Sequence, residues 1–528
     1  MKTISKIVLF VSLTAPILGF SQSADSLNIE KQDTVNAVSS KYLSQPLNYV
    51  SVGYGTQNSW QLKAAVDKPL SKNIIDQIGV NFSWYSTDGL SKSLYDWDTS
   101  STDLNAGIFY NVNTTAGKLH LAGNYDESKI NYYGIDELDV FASPNMDLEQ
   151  NMHKIAFNSD FDFYSNNFFD YAALRAGHWW DRFNSKESFI DFKAKLAGSK
   201  ENASMPLSEL RFGVEADVSV NYTDTHFGLG SQGRYSYFTA GFSPVLKISN
   251  GFSYLKIGAN VMYNGDFSNN NSKFFLYPIA EFMYHNSREL NIYAGFTGGV
   301  YLHNIFDLMT ENPYLYSNQK LFPTNTLYKI YAGLKGESAE NLEYEAEIAY
   351  SRSENLLFFA RNNIGDALNP KPYNRLNTFS TVYTSGNLLS MKAALQYSLN
   401  NLILRGWGEY GHYTNLGSLR APYNQPNFKF GADGTYKMLK NKLKLQAKLF
   451  FAGDRKSNYY YFDNSAQWAE GIKTLDSYFD ADVSVSYEIF NDFSVFVSGN
   501  NLFDKNYELL ENYRVQGFQL LGGISYKF

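Results

Sequence analysis

From residue 47 to the C-terminus, apolar and polar residues alternate along most of the chain. In the stretch 342–350 every second residue is apolar, starting with Leu342. The residues between the first four of them are Glu343, Glu345 and Glu347. Successive side chains of a β-strand point to opposite faces, so this period of two predicts a strand with one apolar and one charged face. The same alternation covers 443–451 and 481–489. We therefore predict an all-β protein.

The connections between these segments alternate in length. The short ones include 69–73, 165–167, 286–289, 337–341, 398–401, 439–442 and 490–492. The long ones include 87–100, 128–149, 301–325, 355–387 and 453–473. Short periplasmic turns and long extracellular loops are typical of transmembrane barrels, in which the apolar faces contact lipid and the polar faces line a lumen.

Counting the segments gives the size of the predicted barrel. We place upward strands near 47, 74, 117, 169, 209, 252, 289, 342, 402, 442 and 493. Downward strands begin near 60, 101, 150, 186, 233, 273, 326, 388, 427, 474 and 514. A soluble sandwich has about seven to nine strands. The sequence instead predicts a transmembrane antiparallel β-barrel of about 22 strands with long extracellular loops.

The N-terminus is typical of an exported protein. Lys2 and Lys6 precede the apolar stretch 7–18, and Gly19 and Ser21 supply small residues at a cleavage site. We predict a signal peptide at 1–21, a flexible periplasmic segment at 22–46 and an outer-membrane barrel at 47–528. The predicted location is the cell outer membrane, with its lipid as one partner.

Composition narrows the function classes. Tyr (41) and Phe (40) are abundant, charged residues make up only 18% and the mean hydropathy is −0.34. The absence of cysteine excludes disulfides and cysteine metal sites. A formal net charge of −7 argues against a nucleic-acid partner, which calls for basic patches.

The last segment carries an assembly signal. Alternate positions from 518 end on Phe528, and the residues that we assign to the signal are Ile524, Tyr526 and Phe528. An alternating C-terminal strand that ends in Phe resembles the signal read by the outer-membrane assembly machinery, which is a second predicted partner.

Both ends of the predicted barrel resemble the TonB-dependent receptor family, in the style of its Bacteroidetes members. The resemblance is carried by 493–508 (FSVFVSGNNLFDKNYE) and 521–528 (LGGISYKF), which look like the family's final hairpin, and by 49–70 with its GYGT at 53–56. It implies an outer-membrane barrel that transports or admits a solute.

The resemblance breaks at the N-terminus. Family members place a folded plug domain before the barrel, whereas only 22–46 stands between the signal and the barrel here. Chains below ~40 residues rarely form a core unaided, so we predict that the plug is missing. Inward-folded loops, or a separate plug, lipoprotein or complex partner, would then close the lumen.

No motif for catalysis or cofactor binding stands out. The chain has no Gly-x-Ser-x-Gly, phosphate-binding loop or His-Glu-x-x-His motif. Its seven histidines are scattered over different segments: His120, His153, His178, His226, His285, His303 and His412. We therefore predict that the protein is not an enzyme and needs no cofactor, although a Ser/His pair on the barrel wall would reopen the question.

Two groups of residues are candidates for binding. The loop 453–473 carries aromatic residues suited to flat ligands or sugar faces, although loop packing explains them as well: Tyr459, Tyr460, Tyr461, Phe462 and Trp468. The predicted lumen charges are Glu343, Glu345, Glu347, Lys442, Lys444 and Lys448. His178-Trp179-Trp180 falls at an outer rim, where an aromatic belt explains it. The favoured function is transport or permeation of a solute, and the alternative is a non-transporting subunit or scaffold of an envelope or export complex.

Overall fold

A computed structural model describes most of the chain. The described residues are 48–70, 76–90, 97–135, 146–164, 168–197, 210–230, 233–285, 289–338, 341–363, 371–462 and 468–528. The predicted signal peptide (1–21) and periplasmic segment (22–46) lie outside the described residues, so these two assignments and the missing plug stay predictions.

Twenty-two strands form one closed antiparallel sheet. Their bounds are β1 Tyr49–Gly55, β2 Ser59–Pro69, β3 Gln77–Thr87, β4 Ser101–Asn113, β5 Gly117–Asn131, β6 Glu149–Phe163, β7 Phe169–Asp181, β8 Lys186–Ala197, β9 Arg211–His226, β10 Arg234–Ser249, β11 Ser253–Asp266, β12 Asn271–His285, β13 Asn291–Tyr301, β14 Thr324–Ser338, β15 Leu342–Arg361, β16 Phe379–Ser398, β17 Leu402–Thr414, β18 Phe428–Met438, β19 Leu443–Ala452, β22 Tyr478–Phe490, β23 Phe493–Asn500 and β26 Gln519–Lys527. Each strand pairs with its neighbours along the chain, and β1 pairs with β26 from Tyr49↔Lys527 to Gly55↔Leu521. The sheet is therefore a closed barrel.

Three smaller elements lie in the connections. The hairpin β20 (Arg455–Phe462) and β21 (Trp468–Leu475) follows β19, and the short pair β24 (Glu508–Leu510) and β25 (Tyr513–Arg514) follows β23. A helix, α1, covers Ile305–Glu311 between β13 and β14. Asn304 caps it, because its side chain accepts a hydrogen bond from the Asp307 N–H. No helix among the described residues is long and apolar enough to cross a membrane.

The two faces of the wall differ as the alternation predicts. On β15, Ile348 and Tyr350 are 45% and 38% exposed on the outside, while Glu347 on the inner face bonds to Lys329. Apolar side chains on the outside of a closed barrel suit lipid, and polar ones inside suit a wet lumen. The predicted fold class is confirmed, and the chain is an outer-membrane β-barrel.

Chain ends and loops define the two ends of the barrel. Phe528 N–H donates to the Asn48 carbonyl, so the first described residue and the last residue of the chain lie at one end of the barrel, called here the terminus end. Most of the longer connections, such as those after β5, β13, β15 and β19, lie at the other end, called here the loop end. Since short turns are periplasmic in such barrels, the loop end is extracellular.

One predicted connection is wrong in its bounds. We predicted an excursion at 355–387, but β15 continues to Arg361 and β16 already begins at Phe379. The cause is a bulge in β15, where Ser353 pairs with Gly386 but Leu356 pairs with Thr384. An extra residue reverses which positions face inward, so the period of two is lost although the strand goes on.

The predicted excursions 453–473 and 301–325 also contain regular structure. The first forms most of the β20–β21 hairpin and the second contains α1. The aromatic run from Tyr459 to Phe462 in β20 and the Asn cap of α1 are local signals for these elements.

Candidate functional site

The loops of the loop end fold over the lumen and pack against each other. We call this assembly the loop cap; its described parts are 132–135, 146–148, 302–323, 371–378 and 501–518. The core of the loop cap is an apolar cluster that also includes side chains of the inner wall. Its fully or almost fully buried members include Tyr132, Trp179, Phe189, Phe227, Ile305, Tyr314, Leu315, Phe379 and Tyr513. The loop closure predicted for the lumen therefore has a physical basis in apolar burial.

Three tyrosines mark the centre of the loop cap. The ring centroids of Tyr314 and Tyr513 lie 3.5 Å apart, and Tyr133 lies 4.9 Å from Tyr513. Their loops follow β5, β13 and β23, which are the fifth, thirteenth and twenty-first strands of the barrel. Loops from three well-separated parts of the circumference can meet only over the lumen.

Hydrogen bonds between loops fix this contact. Tyr132 Oη donates to the Leu315 carbonyl at 3.0 Å, and Tyr133 Oη donates to the Arg514 carbonyl at 2.9 Å. Burial raises the pKa of Tyr314 and Tyr513 well above its ordinary value. Both phenols therefore stay neutral at any physiological pH, and a change of pH in that range does not break the aromatic contact.

Helix α1 is held to the inner wall by charged side chains, called here the helix latch: Lys154, Arg175, Glu187 and Asp307. Arg175 makes two hydrogen bonds to Asp307, at 2.6 and 3.0 Å. Glu187 is 1% exposed and accepts from the Ile305 and Phe306 N–H groups, both at 2.9 Å. Lys154 Nζ donates to the Phe306 carbonyl at 2.7 Å.

The helix latch suits the electrostatics of a helix end. The first N–H groups of a helix have no hydrogen-bond acceptor within the helix, and they give its N-terminus a partial positive charge. A carboxylate at that end accepts their hydrogen bonds and is also attracted by the charge. Although burial raises the pKa of Asp307, its hydrogen bonds and ion pair with Arg175 bring that pKa below its usual value. The ion pair between Asp307 of the helix and Arg175 of the wall therefore stays charged.

A second buried ionic group ties the loop cap to the end of β15 and to the β20–β21 hairpin. The Arg361 side chain is 0% exposed, and its Nη1 lies 3.5 Å from Glu511 Oε1, which Lys473 Nζ reaches at 2.9 Å. Burial raises the pKa of Glu511, against the opposite effects of Lys473 and Arg361. The loops after β15, β19 and β23 are thus tied together below the surface.

The predicted ligand loop is part of this arrangement. Tyr459 and Tyr461 stack at 5.4 Å, and Tyr461 is 38% exposed, whereas Tyr460 is half-buried. The backbones of Phe462 and Trp468 pair across the hairpin, but their side chains lie outside the described part of the chain. A ligand role for these residues stays a prediction.

The predicted lumen charges do not form one group. Glu347 Oε1 lies 3.3 Å from Lys329 Nζ on the adjacent strand, while Glu343 and Glu345 are exposed at the terminus end. On β19, Lys448 lies in register between Asp433 and Asp482, Lys444 opposes Lys437, and Lys442 lies in the preceding turn. The Glu and Lys rows are four strands apart on the wall.

The remaining predicted residues separate by face. Trp179 is 0% exposed and lies in the loop-cap cluster, whereas Trp180 is on the outside and stacks on His153 at 5.0 Å. Ile524, Tyr526 and Phe528 are 50%, 48% and 62% exposed on the outside of the terminus end. This placement suits the predicted assembly signal, whose recognition stays a prediction.

Residues of the helix latch were not found from the sequence. The sequence feature that could have indicated them is the presence of apolar residues, such as Trp179 and Phe189, on the inner face of the wall, where a water-filled lumen favours polar residues. Such residues indicate that something packs inside the barrel. No group of three or more His, Cys, Asp or Glu side chains suited to hold a metal ion occurs in the described ranges.

Comparison with known proteins places the fold. No protein-family model matches the chain and no curated protein does so. Several solved structures match over 92% of this chain. FpvA of Pseudomonas aeruginosa bound to pyoverdine matches at 14% sequence identity and a TM-score of 0.60 over 72% of its length. Fiu, the ferric-catecholate import receptor of E. coli K12, matches at 11% identity and a TM-score of 0.61 over 82% of its length. The FrpB iron transporter of Neisseria meningitidis matches at 10% identity and a TM-score of 0.61 over 82% of its length.

The chain shares its fold with these receptors. At 10–14% identity the likeness concerns the barrel alone. It agrees with the TonB-dependent-receptor type of barrel indicated by the sequence, while the Bacteroidetes style stays a prediction.

One titratable group makes the loop cap sensitive to pH. His303 precedes α1, its Nε2 lies 2.7 Å from Thr324 Oγ1, and burial lowers its pKa to about 4 from an ordinary 6.5. The packed loop cap therefore favours neutral His303. Its contribution to stability is complete above pH 6.5 and is lost as the pH falls from 6.5 toward 4.

We expect acid to release the loop around His303. Between pH 6.5 and 4.5 the ratio of released to packed loop rises by up to about tenfold per pH unit, since one proton is taken up. Protease cleavage within 302–323, measured across this range, checks the expectation. The variant His303→Gln cannot gain the proton and should flatten the response; an equally steep response in that variant contradicts it.

Proposed function

We propose that this barrel takes up a solute from outside through its lumen, with the loop cap serving as receptor surface and gate. The observation that carries the proposal is that loops from distant strands meet over the lumen and one of them is held to the wall by the helix latch. A permanent pore does not call for such a cap. A receptor that admits one class of solute does.

The likeness in fold suggests which solutes to test first. The similar structures are described as receptors for ferripyoverdine or ferric catecholate and as an iron transporter. We propose iron chelates as the first solute class for this chain. The stacked Tyr459 and Tyr461 on the outer hairpin offer flat faces that suit aromatic chelates.

Binding of iron chelates is tested on the purified barrel. A ferric catecholate and ferripyoverdine are titrated in detergent while protein fluorescence is followed, with the iron-free compounds alongside. At least one ferric compound should bind saturably, and Tyr461→Ala should weaken its binding by about tenfold, as loss of an interface aromatic does. Tyr350→Ala, on the lipid-facing wall, is the matched control and should leave binding unchanged.

The results separate the solute from the transport role. Absence of saturable binding for both ferric compounds would reject iron chelates as the solute class. The non-transporting scaffold is the rival function, and it requires that the barrel conduct no solute even when the helix latch is removed. That outcome is measured independently of any ligand.

A further inference from the structure

The barrel wall has an unpaired strand edge near the loop end. Pairing between β12 and β13 stops at Ala280↔Phe296, although β12 continues to Asn271 and β13 to Tyr301. Among the described residues, no strand pairs with 271–279 on the β13 side. Phe274 and Leu276 there are 77% and 69% exposed on the outside, the two largest values among the apolar side chains that the structure describes.

The backbone groups that face this gap can be identified. His285 N–H donates to the Phe252 carbonyl on the β11 side, so odd-numbered residues of β12 point to β11 and even-numbered ones to β13. The unpaired groups therefore belong to Ser272, Phe274, Leu276 and Pro278. Proline has no N–H to lose, and an unpaired edge is one of the few places in a sheet where it is tolerated. Unpaired backbone groups are costly beside lipid, because no water is present to satisfy them.

The missing neighbour is β13 itself, which turns into the lumen above Phe296. Gly298 O accepts a hydrogen bond from Asn260 Nδ2 at 3.2 Å, and Val300 N–H points at Met262 Sδ at 3.2 Å. Both partners are inward-facing side chains of β11, on which Ile257 and Val261 face outward. Thioether sulfur is a weak acceptor, so the Val300 N–H is poorly satisfied where it lies.

A bulge in β14 accounts for this turn. Thr297 pairs with Lys329 but Gly299 pairs with Thr326, which leaves Leu327 as an extra residue of β14. Leu327 is also extra against β15, where Thr326 pairs with Ser353 and Tyr328 with Arg352. A bulge bends its strand, and β13 follows the bend.

If the β12–β13 pairing continued beyond Phe296 in the same register, the unpaired backbone groups of β12 would meet those of upper β13. Counting upward from Ala280↔Phe296, Pro278 would oppose Gly298 and Leu276 would oppose Val300. The Val300 N–H would then donate to the Leu276 carbonyl instead of the Met262 sulfur. Pro278 has no donor for the Gly298 carbonyl, so the re-paired arrangement gives up the Asn260 hydrogen bond. Neither arrangement satisfies every group.

We propose that the upper half of β13 switches between the lumen and the edge of β12, and that re-pairing with β12 opens the loop cap. Helix α1 begins four residues after Tyr301, the last residue of β13. Moving that end of β13 outward pulls α1 from the inner wall of β6–β8, where the helix latch holds it. This inference rests on the proposed gating function and names the moving part of the gate.

The experiment uses cysteine pairs, because the chain has no native cysteine. In Leu276→Cys/Val300→Cys the two side chains lie on opposite sides of the wall in the present structure and side by side after re-pairing. Oxidation in the membrane should form the disulfide within one chain. The open time in planar bilayers should rise at least about tenfold and return on reduction. The control Phe282→Cys/Ala294→Cys joins residues that already pair, so it should cross-link without changing the open time.

Each other result overturns the inference in a recognisable way. If the control pair cross-links and the test pair does not, β13 does not return to β12. If Leu276→Cys alone links two copies, or links to another polypeptide, a foreign strand occupies the edge. If the disulfide forms and conductance stays unchanged, re-pairing does not open the loop cap. Solute uptake by the unmodified protein is measured separately, so failure of the proposed function is distinguishable from all three.

Discussion

Replacing Glu187 with alanine is expected to release α1 from the barrel wall and to open the lumen. The carboxylate accepts from Ile305 N–H, Phe306 N–H and Thr225 Oγ1, the last at 2.6 Å, in a site that excludes water. Alanine leaves two buried amides without an acceptor, at a cost of about 1–3 kcal/mol each. Since every 1.4 kcal/mol is tenfold in an equilibrium constant, the open time should rise at least about tenfold.

Single-channel recording of the variant in planar bilayers measures this effect. Glu187→Gln keeps one carbonyl acceptor and should give an intermediate open time. Glu345→Ala removes an exposed glutamate of the inner wall far from the loop cap, and it should behave like the unmodified protein. A folded, inserted Glu187→Ala barrel with unchanged open time would show that the helix latch does not control the lumen.

Replacing Arg361 with methionine is expected to loosen the opposite side of the loop cap. The change leaves Glu511, whose side chain is 3% exposed, with Lys473 as its remaining cation, and it removes an Nη2 contact to the Gly134 carbonyl. Removing one partner of a buried ion pair costs about 3–5 kcal/mol. Cleavage of 501–518 by an added protease should therefore accelerate by at least about a hundredfold.

A double-mutant cycle assigns the effect to the ion pair. In Arg361→Met/Glu511→Met, the loss of stability inferred from the cleavage rate should be smaller than the sum of the losses in the two single variants. The reason is that the double change leaves no buried charge without its partner. Lys505→Met replaces an exposed cation of the same loop and should leave the cleavage rate unchanged. Strict additivity of the single changes would contradict a direct interaction between Arg361 and Glu511.

The strands were predictable because the alternation has a single physical cause. A wall between lipid and water imposes a period of two, and 21 of the 22 strands begin within five residues of the predicted positions. The exception, β16, shows the limit. An extra residue in β15 exchanges the two faces of that strand while its backbone stays extended, so the alternation places the end of β15 too early. Residues 379–384 of β16 pair with the part of β15 beyond the bulge and therefore fell within the same predicted excursion.

The loop cap was predictable only as a possibility. Loop lengths show that 128–149 and 301–325 can reach over the lumen, but they do not show that Tyr133, Tyr314 and Tyr513 meet. Contacts between residues hundreds of positions apart leave no periodic trace in the sequence. Trp179 and Trp180 illustrate the difficulty, since adjacent residues with one chemistry lie in the loop cap and on the outer surface.

The edge of β12 also escaped the sequence pattern. Phe274, Leu276 and Pro278 continue the outward apolar positions of the strand, so the alternation predicts an ordinary wall there. Only Pro278 departs from that pattern, and a proline within a strand signals an open edge. The neighbouring strand fails to pair because of the Leu327 bulge, which the alternation does not reveal.

The most direct test of the gate replaces the ion pair of the helix latch with a removable covalent bridge. In Arg175→Cys/Asp307→Cys the ion pair is lost, and a short bifunctional thiol reagent that reduction cleaves can rejoin β7 to α1. Solute flux through this one protein is measured in proteoliposomes before bridging, after bridging and after reduction. The gate predicts high flux, then a fall to the level of the unmodified resting barrel, then recovery. Equal flux in the bridged and unbridged protein would contradict the claim that the loop cap controls the lumen.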